Sequence, residues 1–251
     1  ARDYEPDGMD QEDLYEGYQE VELKPGEIDG FYRDKRYVPE IKLLANQYII
    51  MKDSANPNHS AVGRYSLAEK AVVPLVVGTN GIWGIHGRNV EQSFALDCLL
   101  NDEILFVSLV GKAGTGKTLL AIAAGLPKTL DEGVFQRLLV SRPIFPMGRD
   151  IGYLPGDIEQ KLNPWMQPIF DNVEFLMGAD KKAAGRAQEL INQGMLNIEP
   201  LTYIRGRSIP KQYLIVDEAQ NLTPHEIKTI ITRAGRGTKV VLTGDIYQID
   251  N

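Results

Sequence analysis

Gly111 to Thr118 read GKAGTGKT, three glycines, two lysines and two threonines set between an apolar run, LFVSLV, and a helix-forming segment, LLAIAAGL. The spacing is GxxxxGK[ST], and its chemistry is the holding of phosphate. Glycines let backbone N–H groups converge on an anion with no Cβ in the way, and the start of a helix favours negative charge. In that pattern Gly111, Lys112, Ala113, Gly114, Thr115 and Gly116 form the cradle. Lys117 reaches the β- and γ-phosphates, and the Thr118 hydroxyl sits on Mg²⁺.

A second apolar run, Tyr213-Leu-Ile-Val, ends in Asp217 and Glu218. Two carboxylates at the end of a buried strand lie where open α/β sheets bind ligands. Asp217 is expected to hold the Mg²⁺ through water, and Glu218 to polarise the attacking water as general base. The pair points to hydrolysis, since phosphorylation of a small molecule needs no second carboxylate for a water. A third run, KVVLTGD, ends at Asp245 and continues Ile-Tyr-Gln248. The Gln248 amide can bond a γ-phosphate and lose that bond after hydrolysis, so Gln248 is a candidate sensor of nucleotide state. No Asn-Lys-x-Asp guanine-reading sequence occurs, which favours ATP over GTP. Gln92, about twenty residues before the phosphate loop, carries an amide able to pair with the adenine edge. Without that spacing it reads equally as a solvated helix residue.

These side chains need a frame that brings three strand ends together. From Arg88 onward, ILFVSLV, RLLVS, LTYI, YLIVD and KVVLTGD alternate with helix-like stretches such as VEQSFALDCLL, LLAIAAGLPKTLDE and PHEIKTIITRAG. Apolar strands between helices predict an α/β P-loop NTPase fold, a parallel sheet with helices on both faces, over residues 88–251. Before it, residues 37–87 hold short β-prone runs, ANQYIIM, SAVGRY, AVVPLVV and GIWGIHG, separated by turn signals such as NPNHS and GTNG. They predict a small β-rich domain, an antiparallel sheet or barrel. Such barrels bind single-stranded nucleic acid through exposed aromatics, for which Tyr48, Tyr65 and Trp83 are available, though aromatics in a small sheet are more often its core. Residues 1–36 are acidic and rich in turn formers and read as a linker or arm.

The net charge of the 251 residues is −7, but residues 1–40 carry 13 acidic and 5 basic side chains, leaving 22 basic against 21 acidic in the rest. The body is near neutral, so overall acidity does not exclude a nucleic-acid partner, which needs only a local basic groove. The single cysteine, Cys98, makes an internal disulfide impossible, and the scattered His59, His86 and His225 give a zinc site no support. No apolar run reaches the ~18 residues of a membrane span and no leader opens the chain. A cytoplasmic location with no membrane association is the expectation.

Six stretches in fixed order carry a resemblance: the Gln92 segment, GKAGTGKT, SRPIFPMGRDIGYLPGDIEQKLNPWMQP, YIRGRSIP, LIVDEAQN and TGDIYQID. From about Arg88 to Asn251 the chain resembles the PhoH-like ATPases, relatives of the superfamily-one helicases. The long SRP…LPGD…NPW stretch is similar to the subgroup in which a PIN ribonuclease domain precedes the ATPase. The 87 residues before the ATPase segment do not accommodate a compact PIN core, so the PIN domain is expected to be missing here and nuclease activity is not carried over. The family pattern continues beyond Asn251, so a shortened C-terminal end is expected as well.

The resemblance implies a homo-oligomer, a hexameric ring with ATP at subunit interfaces, and single-stranded RNA as partner. A hydrolytic site of this kind usually wants a basic residue opposite the γ-phosphate. Arg142, Arg149, Arg205, Arg207, Arg233 and Arg236 are candidates, and each also reads as a surface or packing residue. Ser141-Arg142-Pro143 resembles a helicase segment that touches the nucleic-acid backbone, a role open to Arg205 and Arg207 too. The function implied is Mg²⁺-dependent ATP hydrolysis that drives RNA unwinding or remodelling. The alternative is an ATP-gated ring that positions a nuclease domain without unwinding. A small-molecule kinase ranks third, because no arginine-rich lid-like insertion accompanies the loop.

Overall fold

The computed structural model of the chain describes residues 17–77, 81–143, 158–178, 183–204 and 208–248. They divide after Leu75 into two units. In the first, β1 (Tyr18–Leu23), α1 (Glu27–Asp34), β2 (Tyr48–Asp53), β3 (Ser60–Ser66) and β4 (Ala71–Pro74) follow one another, and the strands lie in the order β1-β2-β3-β4. The pairs β2–β3 and β3–β4 are antiparallel, as the turn signals predict, whereas β1 runs parallel to β2 with Tyr18 opposite Tyr48.

Two expectations change here. Residues 18–34 are a strand and a helix, not a solvated arm; residues 1–16 of that segment lie outside the described residues. In YQEVEL, Val21 and Leu23 share the face turned to the core while Glu20 and Glu22 share the other, and in α1 Ile28 and Phe31 sit one turn apart and buried. The acidic count hid a period of two and then a spacing of three. Among the described residues the sheet is also open, with β1 and β4 as its edges, rather than closed into a barrel. Its core is Leu23, Ile28, Phe31, Leu43, Ile49, Met51, Ala61 and Val72, with Tyr65 packed against it; Tyr48 is buried too.

The second unit starts at Val76 rather than at Arg88. GIWGIHG adds no strand to the first sheet: Ile82 and Ile85 make one isolated bridge, and with Val77 and Trp83 they pack against the core of the second unit. The Trp83 indole N–H donates to Asp131 at 2.9 Å.

Five strands build the second unit: β5 (Phe106–Val110), β6 (Arg137–Arg142), β7 (Leu196–Pro200), β8 (Gln212–Val216) and β9 (Lys239–Gly244). Their order is β5-β9-β8-β6-β7, and every pair is parallel. The connecting helices are α2 (Val90–Leu100), α3 (Lys117–Leu130), α4 (Ile158–Met177), α5 (Ala183–Asn192) and α6 (Pro224–Arg233). Alternate strand residues feed two cores. Leu138, Val140, Tyr213, Ile215 and Val241 join α2 to α5 on one face, while Leu139, Leu214, Val216, Val240 and Leu242 join Leu222 and Ile230 on the other. Burial on both faces is why these strands are continuously apolar. One expected strand is displaced: LTYI is a short 3₁₀ turn, and the strand is the preceding LNIEP. Pro200 has no N–H to continue a ladder, so the chain turns there.

Candidate nucleotide site at the carboxyl end of the sheet

Strand β5 stops at Val110 and α3 starts at Lys117, so the phosphate-loop residues Gly111 to Gly116 form the whole connection. Gly114 and Gly116 take φ of 77° and 83°. That left-handed backbone suits glycine, and Gly116, Lys117 and Thr118 at the start of α3 line an open cleft. Lys117 Nζ folds over the loop, donating to the carbonyls of Gly111 at 2.7 Å and Lys112 at 2.9 Å. The Thr115 hydroxyl donates to the Lys112 carbonyl at 2.8 Å. These carbonyls hold the ammonium where a phosphate can take it over. The Ala113 N–H donates to Asp245 Oδ2 at 2.7 Å, tying the loop to the end of β9, and Lys112 Nζ lies 5.8 Å from the Tyr247 ring centroid.

Gln92 stands against the loop. Asn89 caps α2 by accepting from the Gln92 N–H, the Gln92 amide donates to the Thr115 carbonyl at 3.1 Å, and its oxygen accepts from the Arg88 N–H at 2.7 Å. The structure thus brings Gln92 to the cradle with both ends of its amide engaged.

The β8 ladder carries Asp217 to the same edge, where it is buried. Its N–H donates to the Ser141 carbonyl at 2.8 Å, and its Oδ1 accepts the hydroxyls of Thr118 at 2.6 Å and Thr243 at 2.7 Å. The Thr118 hydroxyl and the Asp217 carboxylate form an all-oxygen pair of the kind that suits Mg²⁺ held together with phosphates and water. Glu218 follows at φ 54°. A non-glycine residue in that region is sparsely populated and concentrates where function demands a particular aim. Its Oε1 meets Arg142 Nη2 at 3.1 Å and its Oε2 accepts from the Gln220 amide at 2.6 Å.

Between these groups lies a cleft of about 230 Å³, open to solvent and lined by loop residues, Lys117, Thr118, Asp217, Glu218, Gly244, Asp245 and Gln248. Four residues in or around it carry chemistry that the motifs left unused. Thr243 orients Asp217, Asp245 holds the loop, Gln220 touches Glu218, and Asn172 of α4 lines the cleft. The polar Thr-Gly-Asp ending of β9 was a signal for Thr243 and Asp245; Asn172 lies in an ordinary amphipathic helix and had none.

The arginines separate. Arg142, at the end of β6, reaches Glu218. Arg233 does not come to this chain's own cleft. It sits in the last turn of α6, whose capping box at Thr223 and Glu226 starts the helix. Ten residues at 1.5 Å each carry Arg233 toward the opposite end of β8, where its carbonyl accepts from the Ile209 N–H. The Arg236 carbonyl likewise accepts from the Lys211 N–H. Arg149, Arg205 and Arg207 lie outside the described residues.

Comparison with known proteins agrees with this geometry. The sequence profile of the family described as PhoH-like protein matches residues 84–251. The protein PhoH2 of Bacillus subtilis (strain 168) is 49% identical over 247 residues, 97% of this chain and 56% of that protein. PhoH2 of Mycolicibacterium smegmatis is 44% identical over 192 residues, 76% of this chain and 42% of its own length. A PhoH-like protein of Bacillus subtilis is 40% identical over 141 residues, 56% and 42% of the two chains. The chain therefore spans about half the length of the curated relatives it matches. With a phosphate loop, a carboxylate pair and a parallel sheet inside the matched segment, the chain belongs to the PhoH-like family of P-loop, ATP-binding proteins.

Proposed function

We propose that the second unit is a Mg²⁺-dependent ATPase, related to the superfamily-one helicases, whose hydrolysis drives remodelling or unwinding of single-stranded RNA. The observation that carries the hydrolytic part is the placement of Glu218. It follows the Thr118–Asp217 pair directly, lines the same cleft as the phosphate loop, and has each carboxylate oxygen aimed by a donor. Lys117 would leave the Gly111 and Lys112 carbonyls for the β- and γ-phosphates as the loop N–H groups close on them. Bound Mg²⁺, held by Thr118 and Asp217, would neutralise charge on the phosphates. Glu218 would take the proton of the attacking water, and Gln248 would register whether the γ-phosphate is present. Gln92, beside the cradle, would pair with the adenine edge by sharing or exchanging its bonds to the Thr115 carbonyl and the Arg88 N–H.

RNA coupling rests on Arg142. It belongs to the Ser141-Arg142-Pro143 segment and touches Glu218, so a phosphate backbone engaging that segment would act on the partner of the base. The proposal includes a hexameric ring that shares its sites between subunits. In a longer protein of the PIN-bearing type, that ring would work beside the nuclease.

The test is steady-state ATP hydrolysis with and without single-stranded RNA, together with mass in solution. Turnover is expected to rise with RNA, and Glu218→Gln is expected to keep ATP binding while slowing turnover by about 10²- to 10⁴-fold. A Glu218→Gln variant as fast as the wild type would remove Glu218 as the base. Turnover indifferent to RNA and DNA, with ATP-dependent assembly, would favour the gated ring that positions a nuclease.

A further inference from the structure

Gln220 lies in the 3₁₀ turn Ala219–Asn221 that follows the carboxylate pair. Its side-chain amide makes three bonds to the two segments that meet at the cleft. Nε2 donates to Glu218 Oε2 at 2.6 Å and to the Gln248 carbonyl at 3.0 Å, and Oε1 accepts from the Asp245 N–H at 3.1 Å. Asp245 in turn receives the Ala113 N–H of the phosphate loop. Loop, β9 turn and Glu218 are thereby joined through one planar group.

We propose that Gln220 is a positioning residue for hydrolysis: it fixes the aim of the Glu218 carboxylate and ties that aim to the backbone of the segment that reads the γ-phosphate. The inference rests on the reading of Glu218 as base and Gln248 as sensor. Three features favour it. The seat needs two donated protons and one acceptor on a single group, which a glutamine amide supplies and a glutamate or lysine does not. The amide has one satisfied orientation, because a flip would set its oxygen against the Glu218 carboxylate and the Gln248 carbonyl. Space for it is reserved by Gly244, where a Cβ would lie 2.9 Å from Gln220 Oε1 and 3.3 Å from its backbone nitrogen.

Glu218 has a flexible side chain, so an unheld carboxylate would spend part of its time misaimed. Misplacement of about 1 Å at a reacting group costs on the order of 10²-fold in rate. When Gln248 shifts with the γ-phosphate, its carbonyl shifts against the same Nε2 that holds the base. Phosphate state and base geometry then change together.

The test compares ATP hydrolysis, ATP affinity and thermal midpoint for the full chain and for Glu218→Gln, Gln220→Glu and Gln220→Ala. Gln220→Glu keeps an acceptor for the Asp245 N–H and removes both donated bonds; Gln220→Ala removes all three. Both are expected to lower kcat by about 10- to 100-fold with the ATP dissociation constant within about 3-fold. Gln220→Glu is expected to unfold near the wild-type midpoint. If Gln220 only braces the β9 turn, Gln220→Glu will hydrolyse ATP at the wild-type kcat while Gln220→Ala loses both midpoint and rate, and the inference is overturned. If the wild type does not hydrolyse ATP, or if Glu218→Gln matches it, the proposed function fails and this inference falls with it. The two failures are distinguished by the Glu218→Gln arm.

Discussion

At the amino end of the parallel sheet Lys239 is fully buried, its Nζ donating to the carbonyls of Cys98 at 2.7 Å and Asn101 at 2.8 Å. At the carboxyl end Asp217 is also buried, and its Oδ1 accepts the hydroxyls of Thr118 and Thr243. The two ends differ in what the charge is bonded to. Lys239 is satisfied by backbone carbonyls at the end of α2, and its side chain is fully buried. Asp217 is satisfied by rotatable hydroxyls beside an open cleft, and Lys117 by loop carbonyls it can release. A buried charge therefore does not mark a site on its own. Partners that can be exchanged, next to space for a ligand, do.

The comparison can be broken by substitutions at each end. The largest effect is expected from Lys117→Ala, which removes the ammonium from the phosphates. The kcat/KM for ATP should fall by about 10²- to 10³-fold, with little change in thermal midpoint because Lys117 bonds only the loop. A variant with native kcat/KM would show that the loop is not the phosphate site. Next comes Thr243→Val, nearly isosteric, which leaves Asp217 with one hydroxyl donor. The Mg²⁺ concentration for half-maximal turnover should rise by about 10-fold, as for loss of a residue that orients a metal ligand. An unchanged Mg²⁺ dependence would detach Thr243 from the site.

The smallest effect on turnover is expected from Lys239→Met, whose kcat should stay near that of the wild type at pH 7.5. Its signature is in stability. Burial lowers the Lys239 pKa from 10.5 to about 8. Between pH 8 and 10 the unfolded chain keeps a proton that the folded chain has lost, so the wild type gains stability as pH rises, and that gain is lost as pH falls through 8. Relative to Lys239→Met the difference should grow by about 2–3 kcal/mol by pH 10. Tyr213, whose pKa burial raises, destabilises the fold as pH rises through about 10, and it does so alike in both proteins. Urea unfolding of both proteins across the window checks the slope; parallel curves would mean that Lys239 does not titrate there.

Much of the frame was legible because period and motif coincide. Buried strands on both faces read as unbroken apolar runs, and the structure brings residues of GKAGTGKT together with Asp217 and Glu218 around one cleft. The errors have local causes. In YQEVEL the acidic face masked the apolar one. Pro200 shifted a strand by one segment, and the isolated Ile82–Ile85 bridge imitated a strand that belongs to neither sheet.

The sequence by itself determined the residue types proposed to hold phosphate and the α/β class that carries them, since both depend on short-range spacing and on apolar periodicity. Only the tertiary structure decided that β9 lies between β5 and β8, which sets Thr243 against Asp217 and Asp245 against Ala113. Gln220 and Arg142 are likewise assigned to Glu218 by contacts made across 2 and 76 positions of chain. Strand order within a parallel sheet follows from how helices pack on both faces, and no local spacing records it.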